Sequence, residues 1–173
     1  MDESKVKSDV ITSINGGELH ITRVFNASRE PLWRAWTEPE HVMQWWGPKG
    51  FTSPFCRIDL RVGGFYLYCM RSPEGQDFWS TGVYREIVPM ERIVATDSFA
   101  DEKGNVVPAS YYGMSGEWPL EMLFTVTFKG QDDKTKFTLN YLHIEGISET
   151  DLANMEQGWH ESLDKLVEYL DRL

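Results

Sequence analysis

The chain has 173 residues, with 17 Lys and Arg against 27 Asp and Glu and a formal net charge of -10. That length suits one domain with a real core. The acidic balance argues against nucleic acid or an anionic membrane surface as partner, since both need a basic footprint.

Other features of composition narrow the class. Seven Trp, seven Tyr and nine Phe are too many for surface decoration, so they fill a core or line a cavity. Cys56 and Cys69 form no CxxC or zinc pattern and no disulfide framework. No charged-then-apolar leader opens the chain and no apolar run approaches membrane-spanning length. The expected setting is a reducing cytoplasm.

Residues 1–16 are polar and end in Asn15-Gly16-Gly17, which reads as a loose tail or a short leading strand. The expected domain then runs over 17–173 without an internal boundary. Glu18 to Asn26 alternates well enough for a strand, although Arg23 interrupts it. Ser28 is the expected cap of a short helix with Pro31 early in it and Leu32, Trp33, Ala35 and Trp36 on one side. Thr37-Glu38-Pro39-Glu40 restarts a second short helix, expected to end near Trp45-Trp46-Gly47-Pro48.

From Phe51 the period becomes two. Strands are expected over 51–60, 65–71, 78–88, 92–99, 121–128 and 136–144, separated by Gly63-Gly64, Pro73-Glu74-Gly75, Pro89-Met90-Glu91 and Gly130 to Lys134, the short breaks of hairpins. Residues 100–120 are too long for a turn and too aromatic for disorder (Tyr111, Tyr112, Met114, Trp118), so they read as a loop folded over one end of the sheet. The last segment carries Leu152, Met155, Trp159, Leu163, Leu166, Leu170 and Leu173 at steps of three or four, one face of a long helix. Ser148 stands three residues before Asp151, an imperfect capping box. Gly158 interrupts the helix beside Trp159, where glycine costs about 1 kcal/mol relative to Ala. Close packing and room left for a ligand are the two readings. Strands joined by short turns, with one long helix to cover them, make an antiparallel α+β domain.

Several segments together resemble a known family: ITRVFNASREPLWRAWTEPEHVMQWWGPKGF (21–51), DLRVGG with its following strand (59–70), GVYREIVPMERIVATDSFADEKGNVVP (82–108), YGM…WP (112–119), VTF (126–128) and EQGWHESLDKLVEYL (156–170). The chain is similar to the START-like (SRPBCC) superfamily and, within it, to the homologues of the activator of heat shock protein 90 ATPase. The resemblance implies a helix-grip, pollen-allergen-like fold. In it a curved antiparallel sheet of about six or seven strands wraps a long C-terminal helix, two short helices follow the first strand, and a deep apolar cavity lies between sheet and helix. It also implies a stress-response setting and a heat shock protein 90 homologue as a possible partner. Fold alone does not decide function in such a superfamily.

Candidate cavity walls follow from period two. On 65–71 both faces are apolar, so alternation does not choose between them. The resemblance implies that Tyr66, Tyr68 and Met70 face inward, leaving Phe65 and Leu67 outside as a dimer contact or a surface for the tail. Phe124, Val126 and Phe128 share a face, as do Phe137, Leu139, Tyr141 and His143. Trp46, Trp79, Tyr84, Met155 and Trp159, with Tyr112 and Trp118 from the long loop, complete the expected ligand-binding set. Polar groups for acid–base work would be Glu86, Asp59, Arg61, His143 and the tyrosines, with Asp59 and Arg61 also readable as an ion pair fixing a turn.

Motifs exclude more than they assign. There is no GxGxxG, GxxxxGK[ST], HExxH or GxSxG pattern. Ser110 and Ser115 lack a neighbouring base, and His20, His41, His143 and His160 do not pair at ligand spacing, so neither a metal nor another cofactor is expected. The leading expectation is a binder of a hydrophobic or aromatic small molecule. Alternatives are a cyclase- or hydrolase-like enzyme using the same cavity, marked by a buried carboxylate or His with a polar partner at its centre, and a co-chaperone acting by surface contact. Neither the ligand nor the choice of monomer or homodimer follows from the residues.

Overall fold

The computed structural model describes residues 10–15, 17–114 and 117–173. Most of the expected tail, and Ser115, lie outside these residues. Eight strands form one antiparallel sheet, in the order β1-β2-β8-β7-β6-β5-β4-β3. They are β1 (Val10–Asn15), β2 (Glu18–Phe25), β3 (Thr52–Ile58), β4 (Phe65–Arg71), β5 (Asp77–Val88), β6 (Arg92–Ala100), β7 (Met122–Gln131) and β8 (Lys134–Leu142). Helices α1 (Arg29–Thr37) and α2 (Pro39–Val42) follow β2, and α3 (Glu149–Asp171) closes the chain. This curved sheet around a C-terminal helix is the helix-grip fold.

The strand count exceeds the expected six or seven because part of the polar tail is a strand. β1 pairs with β2 from Val10↔Arg23 to Asn15↔Glu18. Ile11 and Ile14 remain exposed, so this edge strand buries little and its sequence carries a weak signal.

Several local expectations are corrected. Ser28 occupies the N-cap of α1 with extended backbone, but its side chain makes no capping hydrogen bond. α2 is only four residues long; Trp45 follows it in a turn, and the Trp46 N–H donates back to the Val42 carbonyl at 3.0 Å. The last hairpin is tighter than expected: β7 and β8 pair through Gln131↔Lys134, and Asp132 takes the positive φ of 57° that so short a turn requires. Ser148 does cap α3, accepting from the Asp151 N–H at 3.1 Å.

The core lies between the concave face and α3. Leu163 and Leu166 of α3 are fully buried, together with Leu19, Ile21, Phe25, Phe137 and Leu139 from β2 and β8. Trp36 of α1 stacks on Phe137 (5.4 Å) and on Trp159 (6.0 Å). Lys165 ties α3 to the segment after α2: its ammonium donates to the carbonyls of Gly47 (3.0 Å), Pro48 (3.4 Å) and Phe51 (3.0 Å).

Leu67 and Phe65, the outward pair of β4, have different fates. Phe65 is exposed, with Arg57 5.5 Å from its ring centroid. Leu67 is buried, and Gly104 of the long loop lies over it. A segment of the chain's own loop covers half of that apolar pair.

Candidate ligand-binding cavity

A cavity of about 400 Å³ opens between the sheet and the first half of α3, within the range of small-molecule sites. Each wall follows from local structure. The bend after α2 supplies Trp46, Pro48 and Phe51, the inward positions of β4 and β5 supply Met70 and Phe78, and β6 supplies Asp97 and Phe99. β7 and β8 contribute Met122 and Tyr141, the long loop Met114 and Trp118, and α3 Asp151, Met155, Gly158 and Trp159.

The rings hold one another. Trp46 lies 4.5 Å from Tyr68 and 5.4 Å from Trp159, and Trp159 lies 6.1 Å from Tyr141, centroid to centroid. Trp118 packs edge-on against Phe99 at 5.4 Å. Its indole N–H donates to Asp151 Oδ2 at 3.0 Å, latching the long loop to the first turn of α3. Gly158 lines the cavity, and a Cβ added there would sit 3.4 Å from Pro48 Cγ, an ordinary contact, so close backbone packing does not require glycine at this position.

The polar centre of this cavity is Asp97. It accepts from the Tyr141 hydroxyl at 2.7 Å on Oδ2, and its Oδ1 lies 3.0 Å from the Tyr66 hydroxyl, which also reaches the Thr96 carbonyl at 2.8 Å. Tyr66 has one proton for these two acceptors. Asp97 is half-buried, and the space it meets is the cavity. Removal from bulk water raises its pKa to about 6, while the hydrogen bonds from Tyr141, Tyr66 and the Ser98 N–H pull the other way. Burial also pushes the Tyr66 and Tyr141 hydroxyls well above their ordinary range, so both stay protonated donors.

Gly82 makes this centre possible. It sits opposite Tyr66 across β4 and β5. A Cβ there would lie 1.9 Å from the Thr96 carbonyl oxygen and 2.6 Å from the Tyr66 hydroxyl. Only glycine lets the Tyr66 ring and β6 approach as they do.

The expected residues divide. Trp46, Met70, Trp118, Met155 and Trp159 are at the wall. Tyr66, Tyr68, Tyr84 and Phe124 are buried in the core cluster beneath it, with Tyr66 touching Asp97. Trp79 borders the cavity, but it pairs with Cys69 and its ring lies 5.5 Å from Phe55, which puts the ring on the outer face. Tyr112 is outside the cavity: its hydroxyl donates to the Ala100 carbonyl and accepts from the Trp79 N–H, pinning the long loop to the sheet. His143 is exposed with φ of 62°. β8 ends at Leu142, so the alternation extrapolated to His143 no longer applies.

Other polar candidates also lie elsewhere. Glu86 is exposed and faces Arg92 at 3.7 Å. Arg61 and Asp59 form an ion pair at 2.9 Å. Among the described residues, Glu38, Glu40 and His41 bring donor atoms within 4.8 Å of one another, a grouping that histidine pairing does not reveal. His41 is already engaged there, by the Tyr169 hydroxyl and, at 3.0 Å, by Glu38.

Asp97, the polar residue at the centre of the cavity, is absent from the set expected from the sequence. Its signal was present: Ile93, Ala95, Asp97 and Phe99 alternate along β6, and one of those inward positions is acidic.

Comparison with known proteins places this geometry. No curated protein matches the chain. The fold is similar to a crystal structure of a Nitrosomonas europaea protein (TM-score 0.73, 25% identity, covering 92% of this chain and 97% of that one). It is also similar to one from Chromobacterium violaceum (TM-score 0.68, 29% identity, 88% and 95%). A solution structure from Arthrobacter aurescens matches at TM-score 0.80 and 22% identity over 95% and 93% of the two chains, a likeness of fold. The family model described as activator of Hsp90 ATPase homolog 1-like protein matches residues 26–171. With 146 of its 173 residues matched, this protein belongs to that family.

Proposed function

We propose that the protein binds an apolar or aromatic small molecule between its sheet and the first half of α3. The observation that carries this reading is the cavity of about 400 Å³, walled by Trp46, Phe51, Phe99, Trp118 and Trp159 around the half-buried carboxyl group of Asp97. Apolar walls with few placed polar groups are the usual composition of a small-molecule site. The long loop acts as a lid, held by the Trp118–Asp151 hydrogen bond.

The test is titration with N-phenyl-1-naphthylamine, a neutral dye that brightens in apolar surroundings. Saturable one-site brightening is expected, and Trp159→Ala lowers the affinity about tenfold or more by removing a wall ring. Brightening that does not saturate, or affinity unchanged in Trp159→Ala, would contradict the placement.

A second reading uses Asp97 as a general base. A carboxyl group with a pKa of about 6 beside apolar space suits proton transfer near neutral pH. The binding reading is stronger because both tyrosine hydroxyls near Asp97 already donate to backbone or carboxylate oxygen. They are not free to stabilise a developing negative charge. The family description supplies a third possibility, surface contact with a heat shock protein 90 homologue, which predicts indifference to cavity substitutions.

A further inference from the structure

We propose that the cavity selects a ligand with a protonated amine on an apolar or aromatic body, with Asp97 as the counter-charge in its wall. This inference rests on the binding reading above.

The argument begins with what Asp97 lacks. Its partners, Tyr66, Tyr141 and the Ser98 N–H, are neutral donors. A desolvated carboxylate held only by neutral groups is left short of positive charge. Among the described lining residues there are two acids, Asp97 and Asp151, and no Lys, Arg or His. Lys165, the lysine of α3, is held by three backbone carbonyls at 3.0–3.4 Å.

Ligand classes can then be ranked. A fatty acid or other carboxylate would place its charge in a space that already holds two acids. A neutral alcohol could donate one hydrogen bond to Asp97. An ammonium group could do the same and also supply the missing charge. It would lie among the rings of Trp159 and Tyr141, whose centroids are 6.1 Å apart, and of Phe99 on the strand that carries Asp97, aromatic surroundings of the kind that attract cations. The body of the ligand would lie among Trp46, Phe51, Phe78 and Met155.

The experiment compares three molecules with one skeleton: 2-(1-naphthyl)ethylamine, 2-(1-naphthyl)ethanol and 1-naphthylacetate. Each is titrated by isothermal calorimetry at pH 7.5 into the wild-type protein and into Asp97→Asn, whose folding is checked by thermal melting. In the wild type the amine is expected to bind about tenfold tighter than the alcohol, and the acid weakest. Asp97→Asn weakens the amine about tenfold and leaves the alcohol nearly unchanged.

A pH series on the wild type needs no variant. The titratable groups near Asp97 are Tyr66 and Tyr68 from β4, Tyr141 from β8 and, from α3, Asp151 at the same cavity wall, with the Tyr68 hydroxyl also pushed well above its ordinary range by burial. The tyrosines stay protonated throughout. With Asp97 near pKa 6, amine affinity falls about tenfold from pH 7.5 to pH 5, while alcohol affinity holds. Equal binding of the three molecules, tightest binding of the acid, a preference that survives Asp97→Asn or an amine affinity flat with pH would each overturn the proposal and leave the cavity reading standing. Failure of all three to bind would overturn both.

Discussion

Helix α3 has one apolar stripe and two environments. In its second half, Leu163 and Leu166 are fully buried, packed among core residues that include Phe137 and Leu139. In its first half, Leu152, Met155 and Trp159 are only half-buried, and Met155 and Trp159 face open space. The periodicity is the same in both halves. What differs is the opposite wall: β8 fills the gap with Phe137 and Leu139, whereas the bend after α2 and the long loop roof it without filling it. An apolar stripe therefore states that a helix is covered, not that the space beneath it is full.

Substitutions that truncate the stripe sharpen this contrast most. Leu163→Ala should cost about 3 kcal/mol or more, since it empties a packed site. Met155→Ala should cost under about 1 kcal/mol, since Met155 already borders empty volume. Chemical denaturation of both variants measures the difference, and equal losses would break the comparison.

Gly82→Ala comes next, at about 2–3 kcal/mol. Its Cβ would strike the Thr96 carbonyl, a backbone atom that cannot step aside as a side chain could. The same clash should displace Tyr66, so this variant loses the organisation of Asp97 along with stability, read as weaker binding of 2-(1-naphthyl)ethylamine.

The pH dependence of Asp97 is smaller and has a definite sign. Its folded pKa, about 6, lies above the unfolded carboxylate value. The stability this group contributes is present below about pH 4 and is lost as pH rises through about 6. Asp97→Asn removes that loss. Relative to the wild type, the variant should gain on the order of 2 kcal/mol between pH 4 and pH 7, offset in part by its poorer acceptance from two tyrosines. Denaturant midpoints across that range measure it, and a constant difference would contradict the burial argument.

Gly158→Ala should have the smallest effect, a gain of up to about 1 kcal/mol from helix propensity, because an added Cβ meets only Pro48 Cγ at 3.4 Å. A loss on thermal melting would show that the backbone there is tighter than the geometry indicates.

The sequence carried the fold further than the site. Seven strands, two short helices and the α3 stripe were legible because period two and period 3.6 are local properties. β1 was weak because an exposed edge strand needs little apolar patterning. The site required knowing which face of each strand points inward and where each strand stops. Trp79 and Tyr84 stand five residues apart on β5, and its register irregularity lies beyond Tyr84, so they cannot share a face as expected. His143 failed by one residue, at the left-handed turn ending β8. Asp97 was readable from β6 alone, but its significance depends on Tyr66, Tyr141 and Gly82 from three other strands, which no local pattern joins.

The most direct test of the account is a crystal structure under xenon pressure, because xenon occupies apolar space that is empty. Xenon is expected between Trp46, Phe99, Met155 and Trp159, and absent beside Leu163 and Leu166. Side chains collapsed into the first half of α3, with no xenon there, would contradict the claim that this half of the helix roofs a binding cavity.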